Sequence, residues 1–371
     1  MILILLATIL ILVIALFQAS QGFYAALIMA VVSLVSAVVA FNYYEPLAGL
    51  FVSRQPTTAH AIALATIFVV LVLGLRLAAD ALLRRNVVLG VWANRIGGGV
   101  LGVLVGMILV GVLAVVTQML PWGPSILGYA PFDASLARSS RLAPFVPDDF
   151  VLGTMKMLSA GRLGGASTRQ FGRVHDDLLL ELFCARNTAE ANGQIDAKPD
   201  TLSVGSAYVS EGGAWGRDMP TDPRLGEEIT KVVVVRATVD RGAMDKDGWW
   251  RLPGTHFRLV CKSGKEGDPY PLSYYPVGYM ARSEGVTVCV PAPSSPEGRL
   301  QAARLIVQQQ SGRPKTMSVD WAYRIPLDHT PVAMVFRRVS RAPVSRVIVR
   351  PPDLTGGVEL TTEPAPTPAV P

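Results

Sequence analysis

The sequence predicts a two-part chain: an α-helical membrane region of four transmembrane helices, then a mainly β, sandwich-like extramembrane domain. Three observations predict it. Four long apolar stretches fill the first 120 residues, with charges almost absent inside them. Short runs rich in Val, Ile and aromatic residues, separated by Gly, Pro, Asp and Ser, occupy 201–350. The final residues are rich in Pro and Thr. The expected domains are therefore 1–120, the four spans; 121–200, a helical connector; 201–350, a β-rich domain; and 351–371, a Pro-rich disordered tail.

The apolar stretches run over 1–17, 23–41, 59–77 and 97–120. Each is near the roughly 20 residues that an α-helix needs to cross about 30 Å of hydrocarbon. Unpaired backbone groups are costly in lipid and four segments cannot close a barrel, so helices are the economical solution. The first stretch has no Lys or Arg ahead of it, which favours an uncleaved helix over a signal peptide. Short loops carrying Lys and Arg stay in the cytoplasm. Arg76, Arg84, Arg85 and Arg95 flank the third loop, whereas the second carries only Arg54, offset by Glu45. That bias places the third loop inside and the C-terminal domain outside, in the periplasm or another extracytoplasmic space.

Several local patterns resemble the colicin V production protein (CvpA) family. The fourth span opens Asn94-Arg95-Ile96-Gly97-Gly98-Gly99-Val100-Leu101-Gly102 and continues through Gly106 and Gly111. The family places an Asp-Arg pair and a glycine ladder there. Gln21-Gly22-Phe23-Tyr24 is similar to its basic-Gly-Phe turn, and Asn42-Tyr43-Tyr44 with Pro46-Leu47-Ala48 to the end of its second helix. Asn94 and Gln21 depart from the family's usual Asp and basic residue. The resemblance covers about 1–120 and carries no catalytic signature. It implies an inner-membrane protein linked to toxin production or export.

Gly98, Gly102 and Gly106 recur every four residues and share one helix face, where another backbone can approach closely. Packing within the four-helix bundle is favoured there over a homo-oligomer interface, which stays open. No ionisable residue lies mid-span, apart from Arg76 near the end of the third, so the usual marks of an ion pathway are missing.

Beyond the spans, Pro121-Trp122-Gly123-Pro124 makes a sharp exit with an interfacial Trp. Helices are expected over 148–158, broken by Gly161–Gly165, and over 173–190. His175-Asp176-Asp177 with Glu181 suggests a cation site. Acidic residues in a helix's first turn, complementing its dipole, explain the run better. Strands are expected over 231–239, 257–261, 285–290, 304–307, 321–325 and 332–336.

The remaining site patterns are weak. Cys184, Cys261 and Cys289 are the only cysteines. Cys261 and Cys289 could bridge in an oxidising compartment, or be buried thiols. No CxxC or Cys/His cluster supports zinc. Asp245-Lys246-Asp247-Gly248 opens like a calcium loop, but its twelfth position is His256, and a β-turn fits better. Val204-Gly205-Ser206-Ala207 and Lys262-Ser263-Gly264-Lys265 lack the glycines of a serine-protease nucleophile loop, and His175, His256 and His329 are scattered. Gly97-Gly98-Gly99 lacks the Lys-Ser/Thr of a phosphate loop. The net charge of +6 comes partly from Arg337, Arg338 and Arg341, a solvated surface without a nucleic-acid motif.

The expected function is non-enzymatic, with no cofactor, no metal and no nucleic acid. The lipid bilayer is one partner, and a protein or cell-envelope component met by the outer domain is the other. The alternatives are an oligomeric transport or channel component and a membrane-anchored periplasmic enzyme such as a hydrolase.

Overall fold

The computed structural model describes residues 2–52, 54–55, 57–82, 90–122, 125–132, 138, 146–160, 171–186, 200–209, 230–244, 249–264, 272–283, 286–291, 304–308, 316–348 and 358–359. The chain forms two compact units. One comprises Met1–Lys198 with Glu266–Leu272 and Arg337–Val339, and the other comprises the rest. The segment expected as a separate connector falls mostly within the first unit, with the spans.

In the first unit, α1 (Ile2–Gln21), α2 (Phe23–Phe51), α3 (Ala59–Leu82) and α4 (Val91–Gln118) are long and apolar enough to cross a membrane. α2 runs about ten residues past its apolar stretch and contains Pro46, while α4 starts ahead of its stretch, at Val91. Hydropathy marks hydrocarbon, whereas helix hydrogen bonding continues into the polar zone. At about 1.5 Å per residue, α4's 28 residues exceed the roughly 30 Å of a bilayer core.

The turn between α1 and α2 rests on Gly22, whose φ of 95° is open to glycine at no steric cost. α4 closes it: Asn94 Oδ1 accepts the Phe23 N–H at 2.7 Å, capping α2 from another helix. A neutral acceptor suffices there, so the departure from Asp keeps the hydrogen bond.

Gly98, Gly102 and Gly106 face α1. A Cβ on Gly102 would lie 2.8 Å from Ala15 Cα, and one on Gly106 would lie 3.1 Å from Ile11 Cα. A Cβ on Gly98 would meet the Gln18 carbonyl oxygen at 2.9 Å. Gly111 faces elsewhere, where a Cβ would run into the Pro147 carbonyl of α5 (Pro147–Ala160). The apolar core of this unit joins Phe41, Leu64 and Ile108 of the spans to Val151 and Met155 of α5, with Phe171 of α6 (Phe171–Val174) and Leu182 of α7 (Leu178–Arg186). Arg76 pairs with Asp80 one turn on, at 3.1 Å.

The second unit contains thirteen strands among the described residues: β1 (Leu202–Val209), β2 (Thr230–Asp240), β3 (Trp249–Pro253), β4 (Phe257–Lys262), β5 (Leu272–Tyr274), β6 (Gly278–Ser283), β7 (Val286–Pro291), β8 (Arg304–Gln308), β9 (Thr316–Pro326), β10 (Thr330–Phe336), β11 (Ser340–Pro343), β12 (Val347–Ile348) and β13 (Val358–Glu359). The largest sheet runs β12-β1-β2-β9-β6-β13, with β7 also on β6. A second runs β11-β10-β4-β5, and β3 pairs with β8. All six expected strands are present. β1, β3, β5, β6, β11, β12 and β13 were not foreseen, because they are short or their apolar residues are interrupted by Gly, Ser, Arg or Pro, and they hold their place by pairing.

β2 and β9 pair antiparallel along their whole lengths, from Thr230↔Pro326 to Asp240↔Thr316. Arg236 opposite Asp320 fixes that register with two parallel 2.7 Å hydrogen bonds. The two larger sheets meet in a sandwich-like contact: Phe257 of β4 lies 4.9 Å from Trp321 of β9 and 4.7 Å from Phe336 of β10, ring to ring.

Three expectations change here. Cys261 is a buried free thiol whose pKa burial pushes up, so the thiol reading holds at Cys261 and the Cys261–Cys289 bridge is not formed; the side chain of Cys289, on β7, lies outside the described residues. Arg337, assigned to the solvated basic surface, is buried. The tail is not wholly irregular, since Val358 and Glu359 pair parallel with Ala281 and Arg282 of β6. The expected turn at Asp245–Gly248, the break at Gly161–Gly165, and Arg84 and Arg85 lie outside the described residues.

Replacing Gly102 by Leu is expected to lower the stability of the detergent-purified protein by about 1–3 kcal/mol, the range for overpacking, because the backbone of α1 cannot yield. Gly74→Ala, where a Cβ meets nothing within 4 Å, should be neutral or mildly stabilising. Thermal unfolding of both variants checks the contrast, and equal effects would refute the close approach.

Candidate functional site

The charged chemistry of the first unit gathers where α2 outlasts its apolar stretch and at the C-terminal end of α4. The single helix expected over 173–190 is broken at His175–Asp177. Asp177 causes the break, because its Oδ1 accepts the Leu180 N–H at 3.0 Å and so caps α7. His175 is thereby turned inward and is almost fully buried.

Each ring nitrogen of His175 faces a glutamate. Nδ1 lies 2.7 Å from Glu181 Oε2 of α7, and Nε2 lies 2.9 Å from Glu45 Oε1 of α2. Tyr44 Oη is 3.1 Å from Nε2, and the Phe171 ring packs 5.4 Å away. Two acceptors at opposite ring nitrogens suit an imidazolium, which donates from both. Burial opposes that charge, but Glu181 and Glu45 outweigh it and raise the pKa of His175 to about 9. The result is a charged clasp between α2 and the α6–α7 segment.

A second cluster forms at the end of α4. The Asp148 carboxylate, at the start of α5, accepts from Gln118 Nε2 at 2.5 Å, from Tyr129 Oη at 2.8 Å and from the Asp149 N–H at 3.0 Å. Tyr129 is delivered by a tight turn with positive φ at Leu127 and Gly128. Burial raises the pKa of Asp148 even so, and burial with the neighbouring Asp148 charge raises that of Tyr129. Arg138 donates to both Asp149 carboxylate oxygens and lies over the Phe132 ring.

The sequence pattern that suggested a cation site is thus taken apart. Asp177 caps a helix and lies 4.0 Å from Arg138, whereas Glu181 serves His175. An imidazolium cannot ligate a metal. Among the described residues, no group of three His, Cys, Asp or Glu is placed to hold a metal ion. Sequence reasoning missed Tyr44, Glu45, Gln118, Asp148 as a buried acceptor, and Arg186. The available signal was polar residues at the ends of apolar spans, Glu45 next to Pro46 and Gln118 closing α4.

In the second unit, Ser206 lies on β1 and Ser263 follows β4. His329 Nδ1 lies 2.9 Å from Asp328 Oδ1, but its Nε2 is buried without a hydrogen-bond partner, so among the described residues no nucleophile is joined to His329. His256 packs edge-on against Phe336.

Because His175 holds its proton more tightly than the usual value of 6.5, its contribution to stability is complete below about pH 6.5 and is lost as pH rises through about 9. Thermal unfolding between about pH 6 and pH 10 should fall steadily for the wild type. Glu181→Gln, which removes one carboxylate, should start lower and fall less over that window. Identical slopes would refute the clasp.

Residues 3–148 match the family model described as Colicin V production protein. No curated protein and no solved structure matches the chain. The match spans α1 to α4 and reaches Tyr129 and Asp148 but stops short of His175, Glu181 and Arg186. Over residues 3–148, the membrane region of this protein is similar to the colicin V production protein family.

Proposed function

We propose that this is a non-enzymatic protein of the bacterial inner membrane. In this reading the four helices anchor a periplasmic β domain that binds a protein or cell-envelope partner in the production or secretion of a colicin V-type toxin. One observation carries the anchor reading: the polar and small residues of the first unit are spent on holding it together. The glycine face of α4 is occupied by α1, and His175 and Asp148, beyond the spans, are held by partners within the unit.

That use of the glycines favours an anchor over an oligomeric channel, which would need the same face for neighbouring copies. The second unit favours binding over hydrolysis, because among the described residues His329 Nε2 meets no nucleophile. The periplasmic placement rests on the arginine bias of the third loop.

Fusing a periplasm-active phosphatase or a cytoplasm-fluorescent reporter after Arg350 tests the placement. Phosphatase activity without fluorescence is the expected outcome. Fluorescence without phosphatase activity would invert the topology and move the partner to the cytoplasm. Labelling of the full-length protein by a serine-directed fluorophosphonate would overturn the non-enzymatic reading.

A further inference from the structure

Arg186, the last residue of α7, is a buried charge that keeps one donor unused. It is 3% exposed. Its Nε donates to the Leu182 carbonyl of its own helix at 3.3 Å, and Nη2 reaches Gln118 Oε1 at a long 3.5 Å. Nη1 is buried and has no hydrogen-bond partner. The nearby Asp148 carboxylate is engaged with Gln118, Tyr129 and the Asp149 N–H. Burial lowers the pKa of Arg186 to about 10; Tyr129 and Asp148 oppose that shift, and the positive charge of Arg338, grouped in the same unit, adds to it.

A guanidinium removed from water is costly unless it is paired and its donors are hydrogen-bonded. The planar fork of Arg matches two oxygens of a phosphate or carboxylate at once, and here one arm of the fork is unused. Its depth narrows the choice. Gln118 closes α4, and Trp122, four residues later, is exposed as aromatic side chains are at the headgroup level of a bilayer. Phosphate is the oxyanion that a membrane supplies at that depth.

We propose that Arg186 Nη1, beside Gln118, forms a phosphate-binding site at the end of α4, taking the headgroup phosphate of an anionic phospholipid or free inorganic phosphate. The site does not depend on which partner the β domain binds or on which side of the membrane it lies.

The test is thermal unfolding of the full-length protein in a nonionic detergent with chloride as the only other anion. One arm titrates inorganic phosphate and the other short-chain phosphatidylglycerol, with short-chain phosphatidylcholine and added chloride as controls. A saturable rise in Tm with phosphatidylglycerol alone assigns a lipid headgroup, and a rise with phosphate assigns the free anion. Arg186→Lys should keep the response but need about tenfold more ligand, since it keeps the charge and loses the fork. Arg186→Met should lose the response, and it is expected to fold because it replaces a buried charge with an apolar chain of similar length. No saturable rise in either arm, or an undiminished rise in Arg186→Met, would overturn the site. Should Arg186→Met fail to fold, an unshifted response in Arg186→Lys would overturn it as well.

Discussion

The first unit depends on how closely the backbones of α1 and α4 approach. Lipid offers no hydrophobic drive for two apolar helices to associate, so packing must supply it, and packing is tightest where side chains are absent. Gly98, Gly102 and Gly106 remove them along four-residue steps, and Ala15 answers from α1. A helix turns about 100° per residue, so Gly111 is rotated by about 140° from Gly106. That rotation takes Gly111 off the α1 face and lets α5 lie against α4 there. One helix thus carries two close contacts, one to a neighbouring span and one to the segment that follows the spans.

With α4 fixed, its end becomes a platform. Gln118 and the segment holding Asp148 and Tyr129 are brought together, and α2, outlasting its apolar stretch, presents Tyr44 and Glu45 to His175. Charges avoid the spans because hydrocarbon cannot solvate them, and they collect at and beyond the helix ends. There a proton is held between two glutamates, and a carboxylate is fed by three donors. Arg186 differs from both, keeping a donor without an acceptor.

The second unit is organised by a different constraint. A one-residue slip in a strand would exchange its buried and exposed faces. The long β2–β9 pair is locked against that by Arg236 and Asp320, while Trp321 on the same strand enters the aromatic cluster with Phe257 and Phe336. Register and core are therefore specified by neighbouring residues of one strand, Asp320 and Trp321.

Composition and periodicity alone determined the number of spans, the β character of the C-terminal region and its six most apolar strands, because transfer from water depends on local side-chain chemistry. They also marked the glycine face, since a four-residue recurrence is visible without coordinates. Only the tertiary structure decided what that face meets, where α2 and α4 end, and that 173–190 is two short helices. The clasp on His175 joins residues about 130 positions apart in the chain, and no local pattern encodes such a meeting. Read locally, His175-Asp176-Asp177 with Glu181 is a helix's acidic first turn. Folded, Asp177 caps a helix, Glu181 holds a proton on His175, and Arg186 is left with a buried donor, because burial and distance, set by the whole fold, fix the role of each charge.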